Sequence, residues 1–270
     1  MAERLDGVDL LIGVPDAAVA GVIIAFGLDA REPSERIIHL LENLPGGPAG
    51  LIVAGVTARL ECSLSHCETV VQLRSARRAR LAPDWAGFYS GSGHRLRLAE
   101  EWVTTQRILV ATLTGPLFHS TGDPTSPPAH TPVVAGPARA LLSARHLEFL
   151  AACASMVVRE DQLMVLGPIR ERAWTLRHGD LPFRVRRWTA SQPASAPPLD
   201  LVELEAQTSV ADAPFLFPAL RSLARQHQVD TEAEASPMAV RALISGWASS
   251  YSDFQLAHGK RCIIRRGQAA

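Results

Sequence analysis

The sequence predicts an α+β protein of ferredoxin-like βαβ units, with an antiparallel sheet and a helical C-terminal region. Three observations lead there. Short β-rich runs alternate with helix-like segments over residues 21–166. A hairpin of defined register lies at 171–188. Two helical patterns close the chain at 214–228 and 237–251.

Each element has its own reason. Gly21 to Phe26 (GVIIAF) reads as a short buried strand. Pro33 to Leu44 reads as a helix, with Ile37, Ile38, Leu40, Leu41 and Leu44 on one face and Pro45-Gly46-Gly47 as its stop. Leu51 to Leu60 and Glu68 to Arg74 read as strands. Arg107 to Thr114 (RILVATLT) is another. The Pro-rich run Thr114 to Pro132 is a long loop, a type that is usually functional. Ala138 to Ala154 is a helix, and Met156 to Leu166 is mostly strand.

In the hairpin, a turn at Gly179-Asp180 sets Leu176 opposite Phe183 and Trp174 opposite Val185. The same register sets Thr175 opposite Arg184, Ala173 opposite Arg186 and Glu171 opposite Trp188. One face is apolar and the other carries arginine. Ala190 to Pro198 is a Pro/Ser/Ala linker, Leu199 to Ala206 an edge strand, and Pro214 to Gln228 and Pro237 to Tyr251 helices. Pro218 falls inside the first of these. Three regions result: 1–104, 105–210 with the basic hairpin, and 211–270 with a basic tail. They can pack as one unit.

The 270 residues balance 27 basic against 27 acidic side chains, so the chain is no bulk polycation. Lys260 is the only lysine. That excludes a P-loop, whose lysine must follow its glycines. Gly91-Ser92-Gly93 opens like a dinucleotide loop but lacks the strand before it and the third glycine. No apolar run reaches membrane-spanning length, and Glu3, Asp6 and Asp9 stand where a secretory signal is basic. A cytoplasmic location is expected. The cysteines are then expected as free thiols. Cys62, His66 and Cys67 offer three metal-ligand types, but no second pair completes a tetrahedron. Neither metal nor cofactor is expected.

Zero net charge hides uneven placement. Residues 59–97 hold seven arginines against three acids. Arginine grips phosphate bidentately and stacks on bases. Arg170, Arg172, Arg184, Arg186 and Trp188, joined by Arg74, Arg77 and Arg78, therefore suit single-stranded RNA, with charge tracking phosphates and a ring stacking on a base.

Three further segments carry a resemblance. Ala111 to His119 (ATLTGPLFH) is a strand ending in a Pro turn. Thr131 to Ala144 (TPVVAGPARALLSA) is a Thr-Pro before a small-residue helix. Met156 to Arg170 (MVVREDQLMVLGPIR) ends in a Pro-Ile-Arg segment. From Arg107 to Arg177 the chain resembles the CRISPR-associated RAMP subunit that holds the 5′ handle of guide RNA in Cascade-type complexes. The resemblance implies ferredoxin-like RNA binding inside a multi-subunit ribonucleoprotein, with protein subunits as partners. It carries over no nuclease residue. In this chain about 100 residues precede the strand with which that family begins.

The leading expectation is thus a non-catalytic RNA-binding subunit. One alternative is a small-molecule hydrolase or lyase using His119, Ser120, Asp123 and His130 of the Pro-rich loop, which supply acid, base and nucleophile types. The other is an assembly protein without ligand, with an apolar patch near Trp247 and Tyr251.

Overall fold

A computed structural model describes residues 5–43, 50–52, 54–64, 66–74, 93–103, 106–116, 141–154, 156–159, 163–190 and 199–229. Nine strands are present among them: β1 (Gly7–Val14), β2 (Ser34–Asn43), β3 (Val56–Cys62), β4 (Cys67–Arg74), β5 (Arg95–Val103), β6 (Gln106–Pro116), β7 (Leu163–His178), β8 (Leu181–Ala190) and β9 (Leu199–Thr208). They close into one barrel in the order β1-β5-β6-β4-β3-β2-β7-β8-β9. β9 returns antiparallel to β1, and β1 runs parallel to β5. Three helices lie outside: α1 (Asp16–Ala25), α2 (Ala144–Phe149) and α3 (Ala213–Gln226). A π-helical turn, Leu150–Ala154, continues α2.

Alternation along each strand sorts side chains to two faces. The outer face is the apolar one. Val8, Leu10, Ile12 and Val14 of β1 pack with Phe183 and Val185 of β8 and Val202 and Leu204 of β9. Val19 and Val22 of α1 and Leu220 and Leu223 of α3 cover them. On the other flank, Ala58 and Leu60, Val71 and Leu73, Leu96 and Leu98, and Ala111 and Leu113 form a second layer under Phe149 and Leu150. The core is therefore a sheath around the barrel, and the inner face is left to polar side chains.

This overturns the ferredoxin-like expectation: most of the described chain is one closed sheet with few helices. Two elements exchange type. Residues 34–43 are strand, not helix. Ile38 and Leu40 point inward at one end of the barrel while Leu41 joins the outer layer, so a strand buried on both faces imitates a helical stripe. Residues 21–25 lie in α1, not a strand; Val19 and Val22 sit one turn apart on the sheath. β1 and β5 were not expected. Residues 51–52 and 54–55 are turn before β3, and β7 begins at Leu163. The 171–188 hairpin stands in the register anticipated, with Gly179 at φ +58° in its turn. α3 runs through Pro218 to Gln226. Residues 107–177 contribute to β6, α2 and β7. The helix expected at 237–251 and the 190–198 linker beyond Ala190 lie outside the described residues.

One end of the barrel is sealed. Arg36, Ile38 and Leu40 of β2, Glu171 and Ile169 of β7, Arg186, Trp188 and Ala190 of β8, and Glu203 and Leu201 of β9 change from charged to apolar at a common level. The turn at residues 50–52 closes over this plug. The buried Glu42 carboxylate accepts hydrogen bonds from the Leu51 amide at 2.6 Å and the Ile52 amide at 3.1 Å. Across the β3–β4 turn, Cys62 and Cys67 are register partners joined in a disulfide. This corrects the free-thiol expectation for that pair, which antiparallel pairing brings within bonding reach. Cys153 is free and buried, and burial pushes its thiol up to about 12.

Candidate functional site

The barrel encloses a cavity of about 470 Å³, within the usual range of small-molecule sites. Seven arginines line it: Arg36 from β2, Arg59 from β3, Arg74 from β4, Arg95 and Arg97 from β5, and Arg184 and Arg186 from β8. Seven acids face them: Asp6, Asp9, Glu61, Glu101, Glu171, Glu203 and Glu205. Gln72, Gln207, Thr112 and Thr114 add neutral donors and acceptors. Strand alternation places all of these inward except Asp6, which lies just before β1. Arg186, for instance, is opposite Ala173 and Glu203, and Arg97 is opposite Thr112.

Most of the guanidinium groups are held by carboxylates. Arg59 Nε donates to Glu61 at 2.5 Å, and Arg36 Nη1 reaches the other oxygen of Glu61 at 2.8 Å. Arg74 pairs with Glu101 at 2.5 Å. Arg97 forms a fork with Asp9 at 2.5 and 2.7 Å. Arg186 lies among Glu171 at 2.5 Å, Glu205 at 3.4 Å and Glu203 at 3.7 Å. Its ring neighbour is Trp188, 5.1 Å from the guanidinium carbon. Among the described residues, Arg184 lines the cavity without an ion pair within 4.0 Å. Arg95, with a side chain 79% exposed, marks the open side.

Enclosure sets the protonation of this lining. Burial pushes Glu101 up to about 7; Glu203 and Asp9 add to the rise, and Arg74 and Arg59 oppose it. Burial acts upward on Glu61 too, but Arg59, Arg186 and Arg36 outweigh it and hold its carboxyl at about 2. Arg186 is the reverse case. Burial disfavours its charge, and Glu171, Glu205 and Glu203 together raise its pKa above the ordinary value. Two carboxyls in one cavity are thus pushed in opposite directions from the ordinary carboxylate value, a pattern typical of functional sites.

The RNA face is corrected by this geometry. Arg184, Arg186 and Trp188 do share a strand face, but it is the inner face of a closed barrel, where Trp188 is buried and Arg186 is mostly enclosed. A nucleic-acid strand cannot lie along it. Arg74 is also inside, on Glu101. Arg170 and Arg172 lie on the outer face of β7, where Arg172 pairs with Glu35 at 2.8 Å. Arg77, Arg78, His119, Ser120, Asp123 and His130 lie outside the described residues. Sequence reasoning missed the facing acids and Arg36, Arg59, Arg95 and Arg97. The available signal was the charge alternation of ARLEC at 58–62 and RLRL at 95–98. A sheet closing on its polar side was the unstated possibility.

Among the described residues, no three His, Cys, Asp or Glu side chains are placed to hold a metal ion. The lumen acids alternate with arginines, and Arg186 stands between the three glutamates of β7 and β9. The donors do not fit a preformed metal centre. A second polar cluster lies outside the barrel. The Ser143 hydroxyl caps α2 and lies 2.8 Å from His94 Nε2 and 2.9 Å from His146 Nδ1. No helix among the described residues is long and apolar enough to cross a membrane.

No protein-family model and no curated protein sequence matches the chain. Several solved structures align over most of its length at low identity. A Hippeastrum protein described as an adenylyl cyclase with a dominant triphosphatase activity aligns at TM-score 0.47 and 12% identity, covering 86% of this chain and 93% of its own. A Bacillus halodurans protein described as an adenylate cyclase aligns at TM-score 0.48 and 8% identity, covering 87% and 96%. A Pyrococcus horikoshii protein aligns at TM-score 0.37 and 8% identity, covering 83% and 91%.

Proposed function

We propose that the barrel lumen binds a short polyphosphate chain, free or as the end of an organic molecule, and hydrolyses its phosphoanhydride bond. One observation carries the reading: seven arginines from five strands converge on one enclosed cavity of about 470 Å³. Buried ion pairs are seldom more stabilising than the apolar side chains that could replace them. A barrel interior lined with fourteen charged residues therefore needs a reason beyond folding. Guanidinium forks match phosphate oxygens in spacing and charge.

Binding would proceed by exchange. Arg184, not held by a carboxylate, is the first anchor. Phosphate oxygens then take the place of carboxylates on Arg97, Arg74 and Arg59. Each displaced acid must remain charged beside an anion or take up a proton. Glu101 takes the first course and stays charged for the chemical step; its carboxyl titrates near 7. A group with that pKa also suits general base catalysis at neutral pH. Water oxygen bonds to the terminal phosphorus, the bridging P–O bond breaks, and the water proton passes to Glu101. The arginines stabilise charge on the departing phosphate, which is the main task in phosphoryl transfer.

The test is phosphate release from inorganic triphosphate and from ATP, with titration calorimetry of both ligands. Expected are saturable release and binding, with binding weakened at least tenfold in Arg184→Ala and release abolished in Glu101→Gln. Absence of both binding and release, with or without Mg²⁺, overturns the reading. The reading replaces the RNA-binding one. It agrees with the small-molecule alternative in class but seats the chemistry in the lumen rather than on the 114–132 loop.

A further inference from the structure

We propose that Arg186 is the resident cation of the lumen's acidic wall, standing where a divalent metal would otherwise sit, so that ligand binding here is independent of divalent metal. The inference rests in part on the polyphosphate reading, but its central test does not.

Three carboxylates reach one guanidinium. Glu171 Oε2 accepts from Nη2 at 2.5 Å and from Nε at 3.2 Å. Glu205 Oε2 lies 3.4 Å and Glu203 Oε1 3.7 Å from Nη1. The acids come from β7 and from two inward positions of β9, and Arg186 enters from β8 between them. All three glutamates are buried, at 4–7% exposure. Three such carboxylates cannot share a low-dielectric wall without a cation among them. That requirement is general; the cation that meets it here is covalently part of the chain.

The rest of the lining follows the same rule. Glu61 has Arg36 and Arg59, Asp9 has Arg97, and Glu101 has Arg74. With seven arginines against seven acids, the described lining balances with no added ion when every acid is ionised. Hard divalent cations need several oxygens converging at 2.0–2.6 Å, and the guanidinium of Arg186 occupies the space between the three glutamates and holds them apart. Charge brought in by an anion is met by Arg184 and by proton uptake on the lining, not by a metal.

Removing the side chain should create the missing site. The full chain is purified in chelator and titrated with Mn²⁺, with bound metal read by electron paramagnetic resonance. Wild type is expected to bind no Mn²⁺ in the lumen up to millimolar concentration. Arg186→Ala is expected to gain one Mn²⁺ site, lost again when Glu203→Gln is added. A wild-type site abolished by Glu203→Gln overturns the inference, as does a folded Arg186→Ala variant that takes up no Mn²⁺. If Arg186→Ala folds only with Mn²⁺ present, the inference is supported; if it folds in neither condition, the wild-type titration decides alone. In parallel, triphosphate affinity of the wild type is expected to change less than threefold between chelator and excess Mg²⁺. A tenfold gain with Mg²⁺ overturns the inference. No triphosphate binding in either condition removes the polyphosphate reading and leaves the Mn²⁺ experiment to decide this one.

Discussion

Arg97 and Asp9 are joined by two side-by-side hydrogen bonds, Nη1 to Oδ2 at 2.5 Å and Nη2 to Oδ1 at 2.7 Å. They belong to β5 and β1, the one parallel pairing among the described strands. That pairing is where the first strand enters a sheet otherwise made of antiparallel neighbours. The fork therefore fixes the entry of β1 as well as lining the cavity. Arg97→Lys keeps the charge but cannot make two such bonds. Its expected cost is about 1–2 kcal/mol, since charge-assisted hydrogen bonds contribute about 1.5–3 kcal/mol and Arg97 is partly solvated. Urea denaturation of the two proteins checks it; an unchanged midpoint would show that the fork is not structural.

Stability should fall as pH rises from about 4.5 to 7, through Glu101. Its pKa is 4.5 in the reference state and about 7 in the fold, so the folded protein holds the extra proton in that window. Proton release on unfolding then favours the unfolded state as pH rises. The groups facing it are Arg74, which pairs with it, Gln72, whose amide donates to it at 3.1 Å, and Glu203, Asp9 and Arg59. Glu61 has the opposite sign. Its carboxyl is held at about 2, so its contribution is present above 4.5 and is lost as pH falls toward 2. Thermal melts from pH 3 to 8 should show a maximum near pH 4.5. Glu101→Gln should flatten the upper limb alone; an upper limb that persists unchanged would assign it to another group.

The hairpin shows how far sequence reasoning reached. Its turn, register and two faces were all legible, because alternation over 171–188 admits one register that separates Phe183 and Val185 from Arg184 and Arg186. What was not legible was which face meets water. Polar alternation ordinarily marks solvent, and the sheet closes on that side instead, through a β9–β1 pairing some 190 residues apart in sequence. Ser34 to Asn43 failed for a related reason. Apolar side chains serve the plug on one face and the sheath on the other, and period 2 is lost. The sequence singles out Arg74 and Arg186 as cations for phosphate, but not the carboxylates that hold them across strands. No local spacing encodes Arg186 against Glu203 or Arg74 against Glu101.

Gly115 should tolerate no side chain. A Cβ there would overlap the His94 imidazole and come within 3.0 Å of His146 Cε1. His94 is buried and also bonded to Ser143, and His146 is fully buried beneath α2, so neither ring can yield cheaply. Gly115→Ala should cost about 1–3 kcal/mol, the usual range for overpacking. Ser143→Ala should cost about 1 kcal/mol through the lost helix cap. Denaturation of the double variant would be less than additive, because both act on the same imidazole pair.

The sealed end depends on one carboxylate. Glu42 accepts from the amides of Asn43, Leu51 and Ile52, and Gly50 approaches it so closely that a Cβ there would meet Oε1 at 2.9 Å. Glu42→Ala leaves these donors without their acceptor, at an expected cost of about 2–4 kcal/mol. Hydrogen exchange is the sharper readout. Protection at residues 51 and 52 should fall further than protection in β8, which is held by its own ladder. Equal loss in both would mean that the seal and the barrel unfold as one unit.

Inner and outer arginines should respond differently to a phosphate ligand. Arg184 and Arg170 are both on the β7–β8 hairpin, yet Arg184 faces the cavity and Arg170 the exterior. Arg172, also outside, is occupied by Glu35 in solvent. If the lumen is the site, Arg184→Ala should lower triphosphate affinity at least tenfold, and the pair Arg170→Ala plus Arg172→Ala should change it less than twofold. If an exterior basic surface were the site, the order would reverse, and affinity would fall steeply with salt through many phosphate contacts. An enclosed site is screened less, so a shallower salt dependence is expected. Calorimetry of the three proteins at 50 and 200 mM salt separates the cases, because stability is tracked by the same melts and an unfolded variant is recognised before it is scored.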